Sequence, residues 1–213
     1  MKGVAHMIKA LMLGVAASLA AVGIAIAPAM SQGVKSTVPV WSGCKELSTG
    51  QSKTCQTISW GTLTFKFPEA PEVGPITCKK SDAASISNTS EGGLDETVLM
   101  DFYECNSTGS SCHTPVVVAK RLPWNSALKS SGGGTAATIV DEITGIELEI
   151  TCPSGPVIDA SGSLKPRMVN GNPLKEEFTS STGTLASPLG AVEVTGIDKM
   201  MGFVNQERLK VKT

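Results

Sequence analysis

The chain has 213 residues, 41% hydrophobic and 17% charged, with 18 basic against 19 acidic side chains and a formal net charge of −1. Neither sign gathers into a block, which excludes the concentrated basic face that nucleic-acid binding requires. Two histidines and six cysteines bound what side-chain chemistry remains.

The amino terminus reads as a leader. Lys2 and Lys9 precede an uncharged run of 18 residues from Ala10 to Ala27, and Ala27-Pro28-Ala29 gives a small-x-small exit. A basic start, an apolar middle and such an exit describe a secretory signal peptide. Residues 1–29 are therefore assigned to a signal peptide cut after Ala29, with no membrane span left in the mature chain. The run also lies at the lower length limit of a spanning helix, so a domain tethered by an uncleaved leader is the competing expectation. Gly14, Gly23 and Pro28 weaken the segment as a long helix, and no cysteine lies beside it to carry a lipid. Cleavage removes Lys2 and Lys9, leaving 16 basic side chains against 19 acidic ones in 184 residues. That length fits one domain with a sizeable core.

Residues 30–60 are polar, with Gly33, Pro39, Gly43 and Gly50 among them, and carry Trp41 and Trp60. They read as an N-terminal extension leading into a first hairpin pinned by Cys44 and Cys55. Residues 61–213 read as a β domain. Thr62 to Phe67 alternates, placing Leu63, Phe65 and Phe67 on one face. Thr97 to Cys105 is apolar on both faces and reads as a central strand covered on both sides. Pro115 to Ala119 reads as its hairpin partner. Ile146 to Cys152 points Ile146, Leu148, Ile150 and Cys152 inward. Ala191 to Thr195 and Arg208 to Lys212 complete the set. Turn signals separate the runs: Glu91-Gly92-Gly93, Ser130 to Gly134, Pro153 to Pro156, Asn170 to Pro173 and Ser180 to Gly183. Helical signals are limited to single turns over 122–128 and 197–201. The expectation is an all-β fold, a mostly antiparallel β-sandwich or barrel-like sheet with at most one or two short helical turns.

All six cysteines follow the leader: Cys44, Cys55, Cys78, Cys105, Cys112 and Cys152. An even count in an exported chain predicts disulfides. Short polar loops between Cys44 and Cys55 and between Cys105 and Cys112 predict those two bridges, leaving Cys78 with Cys152. In the chain-entropy model the long bridge contributes most, about 4.5 kcal/mol.

Five short motifs resemble a group of uncharacterised exported proteins of high-GC Gram-positive bacteria. They are Ile76-Thr77-Cys78, the Cys105 to Cys112 loop, Leu122-Pro123-Trp124, the acidic strand from Glu147 to Cys152, and Val194-Thr195-Gly196 with Glu207-Arg208-Leu209. They span most of the mature chain. The resemblance implies an exported β domain of unknown role and brings no catalytic residue with it.

The chemistry is read mainly by subtraction. His6 leaves with the leader, so a Ser-His-Asp site has only His113 to use, and no Gly-x-Ser-x-Gly elbow occurs. Structural zinc needs four ligands in close pairs, and Cys105, Cys112 and His113 stand alone. No calcium loop is present, and the Gly132-Gly133-Gly134 run lacks a phosphate-binding lysine. No catalytic residue, metal ligand or cofactor is assigned. Glu147 and Glu149 share a strand face, with Cα atoms roughly 6.5–7 Å apart, a spacing a glycosidase pair can use. Solvated acids on an exposed face are the commoner arrangement. Asp141 and Glu142 point to opposite faces. Trp124 and Trp41 are the candidate ligand-binding aromatics, while Trp60, just before a clear strand, reads as core. Asn88 and Asn106 match the N-glycosylation pattern. The function expected is non-catalytic binding or structural work in a secreted or cell-surface protein, with a cell-wall or surface polymer or another surface protein as the candidate partner. The alternative is a secreted carbohydrate-active hydrolase using a carboxylate pair.

Overall fold

The period-two alternation is realised in the folded chain: Leu63, Phe65 and Phe67 are buried while Thr62 and Lys66 face solvent. Ile146, Leu148, Ile150 and Cys152 are buried in the same way. Each such large side chain contributes about 1.5–3 kcal/mol by leaving water. In the computed structural model, the described residues are 38–44, 47, 54–132 and 138–213. The expected leader and most of the expected extension lie outside them.

The strands are β1 (Val40–Ser42), β2 (Thr54–Lys66), β3 (Ile76–Thr89), β4 (Gly92–Ser107), β5 (Val116–Ala119), β6 (Trp124–Ser131), β7 (Thr138–Thr151), β8 (Val157–Leu164), β9 (Arg167–Val169), β10 (Leu174–Phe178), β11 (Thr184–Ser187), β12 (Gly190–Gly202) and β13 (Lys210–Lys212). The architecture is all-β and antiparallel. β7, β6, β4, β3, β2 and β12 are consecutive neighbours. The gap between β12 and β7 is closed twice, by β10 and β9 along one half and by β11 and β8 along the other. Each circuit contains eight strands and leaves a closed barrel. β5 pairs with the C-terminal part of β7, beyond the residues that pair with β6, and buries Val117 in the core. A separate small sheet pairs β1 with β13.

Two hydrophobic clusters fill the barrel. The larger gathers Phe65, Phe102, Ile150, Leu185 and Val192 with Cys78, Cys112 and Cys152. The smaller gathers Trp41, Ile86, Leu128, Leu174, Met200 and Val211 with Cys44 and Cys55. The sheet of β1 and β13 packs into the second cluster. Trp41 is its anchor, because Gly93 leaves the space its indole needs: a Cβ there would lie 2.8 Å from Trp41 Cδ1.

Several expectations are corrected by the register. The run from Thr97 to Cys105 lies in β4 but is not covered on both sides: Leu99 is 61% exposed, and Val98 and Tyr103 also face solvent. A barrel wall has only one inner face. β5 pairs with β7, not with β4. The two expected helical turns are strand, in β6 and β12, and the described helical element is a 3-10 turn over Val204–Gln206.

The disulfides are Cys44–Cys55, Cys78–Cys105 and Cys112–Cys152. The first was expected and the other two exchange the expected partners. The segment after Cys105 does not fold back into a closed loop. Ser107 Oγ donates to Val73 O at 2.8 Å, and Ser111 N donates to Glu72 O at 3.0 Å. These bonds lay the segment along the loop after β2 and carry Cys112 across to the end of β7. Cys105, left on β4, faces Cys78 on the neighbouring β3.

Candidate functional site

Between the two apolar clusters, the inner face of the wall turns polar. β2 contributes Ser59, β3 Lys80 and Asp82, β4 Asp95, β6 Ser126, β7 Asp141, β10 Glu176 and β12 Asp198, all pointing inward. Five carboxyl groups thus surround one ammonium. Every one of these residues lines a cavity of about 50 Å³ except Asp198, and the rest of the lining is apolar apart from Thr97, with Phe65, Phe102 and Trp124 among it. Lys80 Nζ lies 2.6 Å from Asp82 Oδ2 and also pairs with Asp198. Ser126 Oγ donates to Asp141 Oδ2 at 2.8 Å. Glu176 and Asp198 stand directly opposite each other across β10 and β12.

Burial and mutual repulsion set the protonation of this belt. Burial first, then the charges of Asp141 and Asp82, push Asp95 well above the usual carboxylate range. Burial, with Asp141 and Asp198, does the same to Glu176. Burial raises Asp141 to about 6 against the hydrogen bonds it makes with Ser126 and Glu176. Burial raises Asp198 to about 6 against the pull of Lys80. Burial pulls Lys80 down, but Asp198 and Asp82 outweigh it and the net shift is upward. The belt therefore holds Lys80 charged and keeps protons on part of its carboxyl set near neutral pH. Breaking one partner from such a pair costs about 3–5 kcal/mol.

The outer wall carries a second feature. A groove of about 580 Å³ runs across β10, β12, β2, β3 and β4, lined by Trp60, Thr62, Lys79, Tyr103, Lys175, Ile197 and Lys199 over Gly61 and Gly196. Its residues fall in register rows. Lys175 opposes Lys199, which opposes Trp60. Ile197 opposes Thr62, which opposes Lys79, which opposes Tyr103. Lys79 pairs with Glu104, and Glu177 nearby pairs with Arg167. Lys175 and Lys199 have no acid partner among the described residues.

The candidate tryptophans change places. Trp41 and Trp124 are 2% and 4% exposed and belong to the two cores. Trp41 Nε1 donates to Leu94 O at 3.0 Å, and Trp124 Nε1 to Lys120 O at 2.9 Å. Neither offers a ring to a ligand outside the barrel. The half-exposed ring is Trp60, expected in the core, because its phase in β2 is opposite to the buried Ser59 and Leu63. Glu147 and Glu149 lie on the outer wall, paired with Arg121 at 2.9 Å and Lys120 at 3.1 Å. His113 is exposed. Asn88 is buried and exchanges hydrogen bonds with the backbone of Trp41, so it is no glycan acceptor in the folded chain. Among the described residues no group of three His, Cys, Asp or Glu side chains is arranged to hold a metal ion. No described helix is long and apolar enough to cross a membrane.

Alternation alone does not announce the polar belt, though a signal exists. In β3, β6 and β10 a polar residue falls in phase between buried apolar ones: Lys80 and Asp82 between Cys78 and Ala84, Ser126 between Trp124 and Leu128, Glu176 between Leu174 and Phe178.

No family model matches the chain, and no curated protein matches it. Among solved structures it is similar to that of DynF from the dynemicin biosynthesis pathway of Micromonospora chersina. The identity is 10% and the TM-score 0.45, over 79% of this chain and 85% of that one. A likeness at that level shows neither family nor function.

Proposed function

We propose that the chain is an exported, non-catalytic binding domain whose partner is an anionic surface glycan lying in the outer groove. The carrying observation is the opposition of Lys175 and Lys199, with no acid paired to either among the described residues, beside the half-exposed Trp60. Like charges opposite each other in a sheet weaken pairing by about 0.2–1 kcal/mol. A carboxylate or phosphate between them turns that repulsion into attraction, and an aromatic ring offers a face to a sugar. The groove spans five strands of the outer wall, an extent that suits a polymer crossing it. Three disulfides favour an oxidising compartment, and the leader and the resemblance to exported proteins support the same setting.

The hydrolase alternative loses its named pair, since Glu147 and Glu149 each already hold a cation on the outer wall. The acids that do converge lie around a cavity of about 50 Å³, too small for a sugar ring. The retained-leader alternative is separated by mass spectrometry of the exported protein: a chain starting at Met30 excludes it.

The groove is tested on an array of anionic and neutral surface polymers, with wild type beside Trp60→Ala and Lys199→Glu. Anionic glycans are expected to bind, with about tenfold weaker binding in each variant and a steep decline with salt. Undiminished binding by Lys199→Glu, or preference for neutral polymers, overturns the reading.

A further inference from the structure

Four buried side-chain oxygens have no hydrogen-bond partner among the described residues: Ser59 Oγ, Asp82 Oδ1, Asp95 Oδ1 and Asp141 Oδ1. All four belong to residues lining the cavity inside the barrel. They come from β2, β3, β4 and β7, so four separate strands deliver an unpartnered polar oxygen to one space. We propose that this cavity is a binding site for a compact primary ammonium, the charged end of a short alkylamine, distinct from the outer groove.

The chemistry of the lining selects the guest. Three of the four orphaned atoms are carboxyl oxygens, and five carboxyl groups share one ammonium, Lys80, which is already engaged by Asp82 and Asp198. Carboxyl groups outnumber the one cation, so acceptors and negative charge are in excess. A primary ammonium brings three N–H donors and one positive charge with no acceptor to satisfy. Water brings fewer donors and no charge. A metal ion needs several ligands converging on one point, and no three acids among the described residues do so.

Size and polarity set the rest of the guest. A cavity of about 50 Å³ has room for roughly three to five water-sized positions. That suits an ammonium with one to three carbons and excludes guests that need the several-hundred-Å³ pockets of drug-sized ligands. Beyond its polar residues the lining is apolar and includes Met100, Phe102, Trp124 and Ile143. An alkyl tail lies against those side chains. Raised affinity of Asp95 and Glu176 for protons agrees with this reading, since a guest cation would take the place those protons hold.

The test titrates ethylammonium chloride into the folded, disulfide-bonded chain at neutral pH. Tetramethylammonium chloride and sodium chloride at equal ionic strength serve as controls. The readouts are the side-chain carboxyl carbon signals in NMR and the melting temperature. Ethylammonium is expected to move the Asp95 and Asp141 signals saturably and to raise the melting temperature. Tetramethylammonium, which has no N–H, and sodium are expected to do neither. Asp95→Asn, which keeps the side-chain size, is expected to weaken ethylammonium about tenfold, and Ser59→Ala provides a second variant. The proposal fails if ethylammonium gives no saturable shift in wild type, or if either control reproduces it. It also fails if folded Asp95→Asn binds as wild type does. Lys199→Glu should leave this titration unchanged, so the outer-groove reading stands or falls separately.

Discussion

Lys80 and Asp198 form an ion pair across Gly61. In the register of the wall, Gly61 of β2 opposes Lys80 of β3 on one side and Asp198 of β12 on the other. Two strand spacings, about 9.5 Å, separate the backbones of the partners. The side chains close that distance through the space where β2 has no side chain. The single ammonium of the belt is thus held by a gap in the sheet as much as by charge.

Gly61→Ala tests that gap. A Cβ at this position would lie 2.2 Å from Ile197 O and 2.9 Å from Asp198 Oδ1. Something must shift, and the shift displaces a buried ion pair. The expected loss is about 2–4 kcal/mol in denaturant unfolding. A variant as stable as wild type would place the Lys80–Asp198 contact elsewhere.

The belt makes stability fall as pH rises. Asp95, Asp141, Glu176 and Asp198 all have folded-state values above their ordinary ones. Between the ordinary carboxylate range and those raised values, the folded state binds more protons than the unfolded one, so the slope of stability with pH is negative. For Asp141 and Asp198 the loss develops as pH climbs from near 4 to about 6, and Asp95 and Glu176 extend it further. Lys80, shifted upward, acts in the opposite range: its contribution is intact below its ordinary value of 10.5 and is lost above it. Ser59, Ser126 and Asp82 complete the groups facing the cluster. Chemical unfolding should find the protein more stable at about pH 5 than at about pH 8, by on the order of 2–3 kcal/mol. Asp95→Asn should flatten the curve. A stability that rises over this interval contradicts the arrangement.

The disulfide map is directly measurable. Proteolysis without reduction should yield peptides joining Cys78 to Cys105 and Cys112 to Cys152. Replacing Cys112 and Cys152 together by serine opens a link with a sequence separation of 40 and should cost about 4 kcal/mol in the chain-entropy model. A Cys105–Cys112 peptide would restore the hairpin expected from spacing.

Tryptophan accessibility separates the three indoles. Iodide should quench Trp60 and leave Trp41 and Trp124 nearly untouched, and Trp60→Phe should remove the quenchable fraction. Strong quenching that survives this substitution would put one of the core tryptophans on the surface.

Strands with an uninterrupted apolar face are legible in the sequence alone. Leu63, Phe65 and Phe67, and Ile146, Leu148 and Ile150, follow period two, and burial of one face follows from it. β3 is not legible beyond its first residues. Lys80 and Asp82 interrupt its inward face between Cys78 and Ala84, so the strand presents no unbroken apolar stripe to find. Trp60 departs from its expected place for a related reason: adjacency to a strand does not say which face a residue takes, and one step in phase turns a core ring into a groove wall. Cysteine spacing pairs Cys105 with Cys112 because loop length ignores what the loop packs against.

The order of residues along the chain settled that it folds as antiparallel β structure and that its cysteines suit oxidation, since alternation and cysteine count are local and countable properties. Only the closed barrel decided that Lys80, Asp95, Asp141, Glu176 and Asp198 share one buried space, and that Lys175 stands opposite Lys199. Those neighbours are set by register between strands up to a hundred and more residues apart, and register is fixed by burying all the inner faces at once.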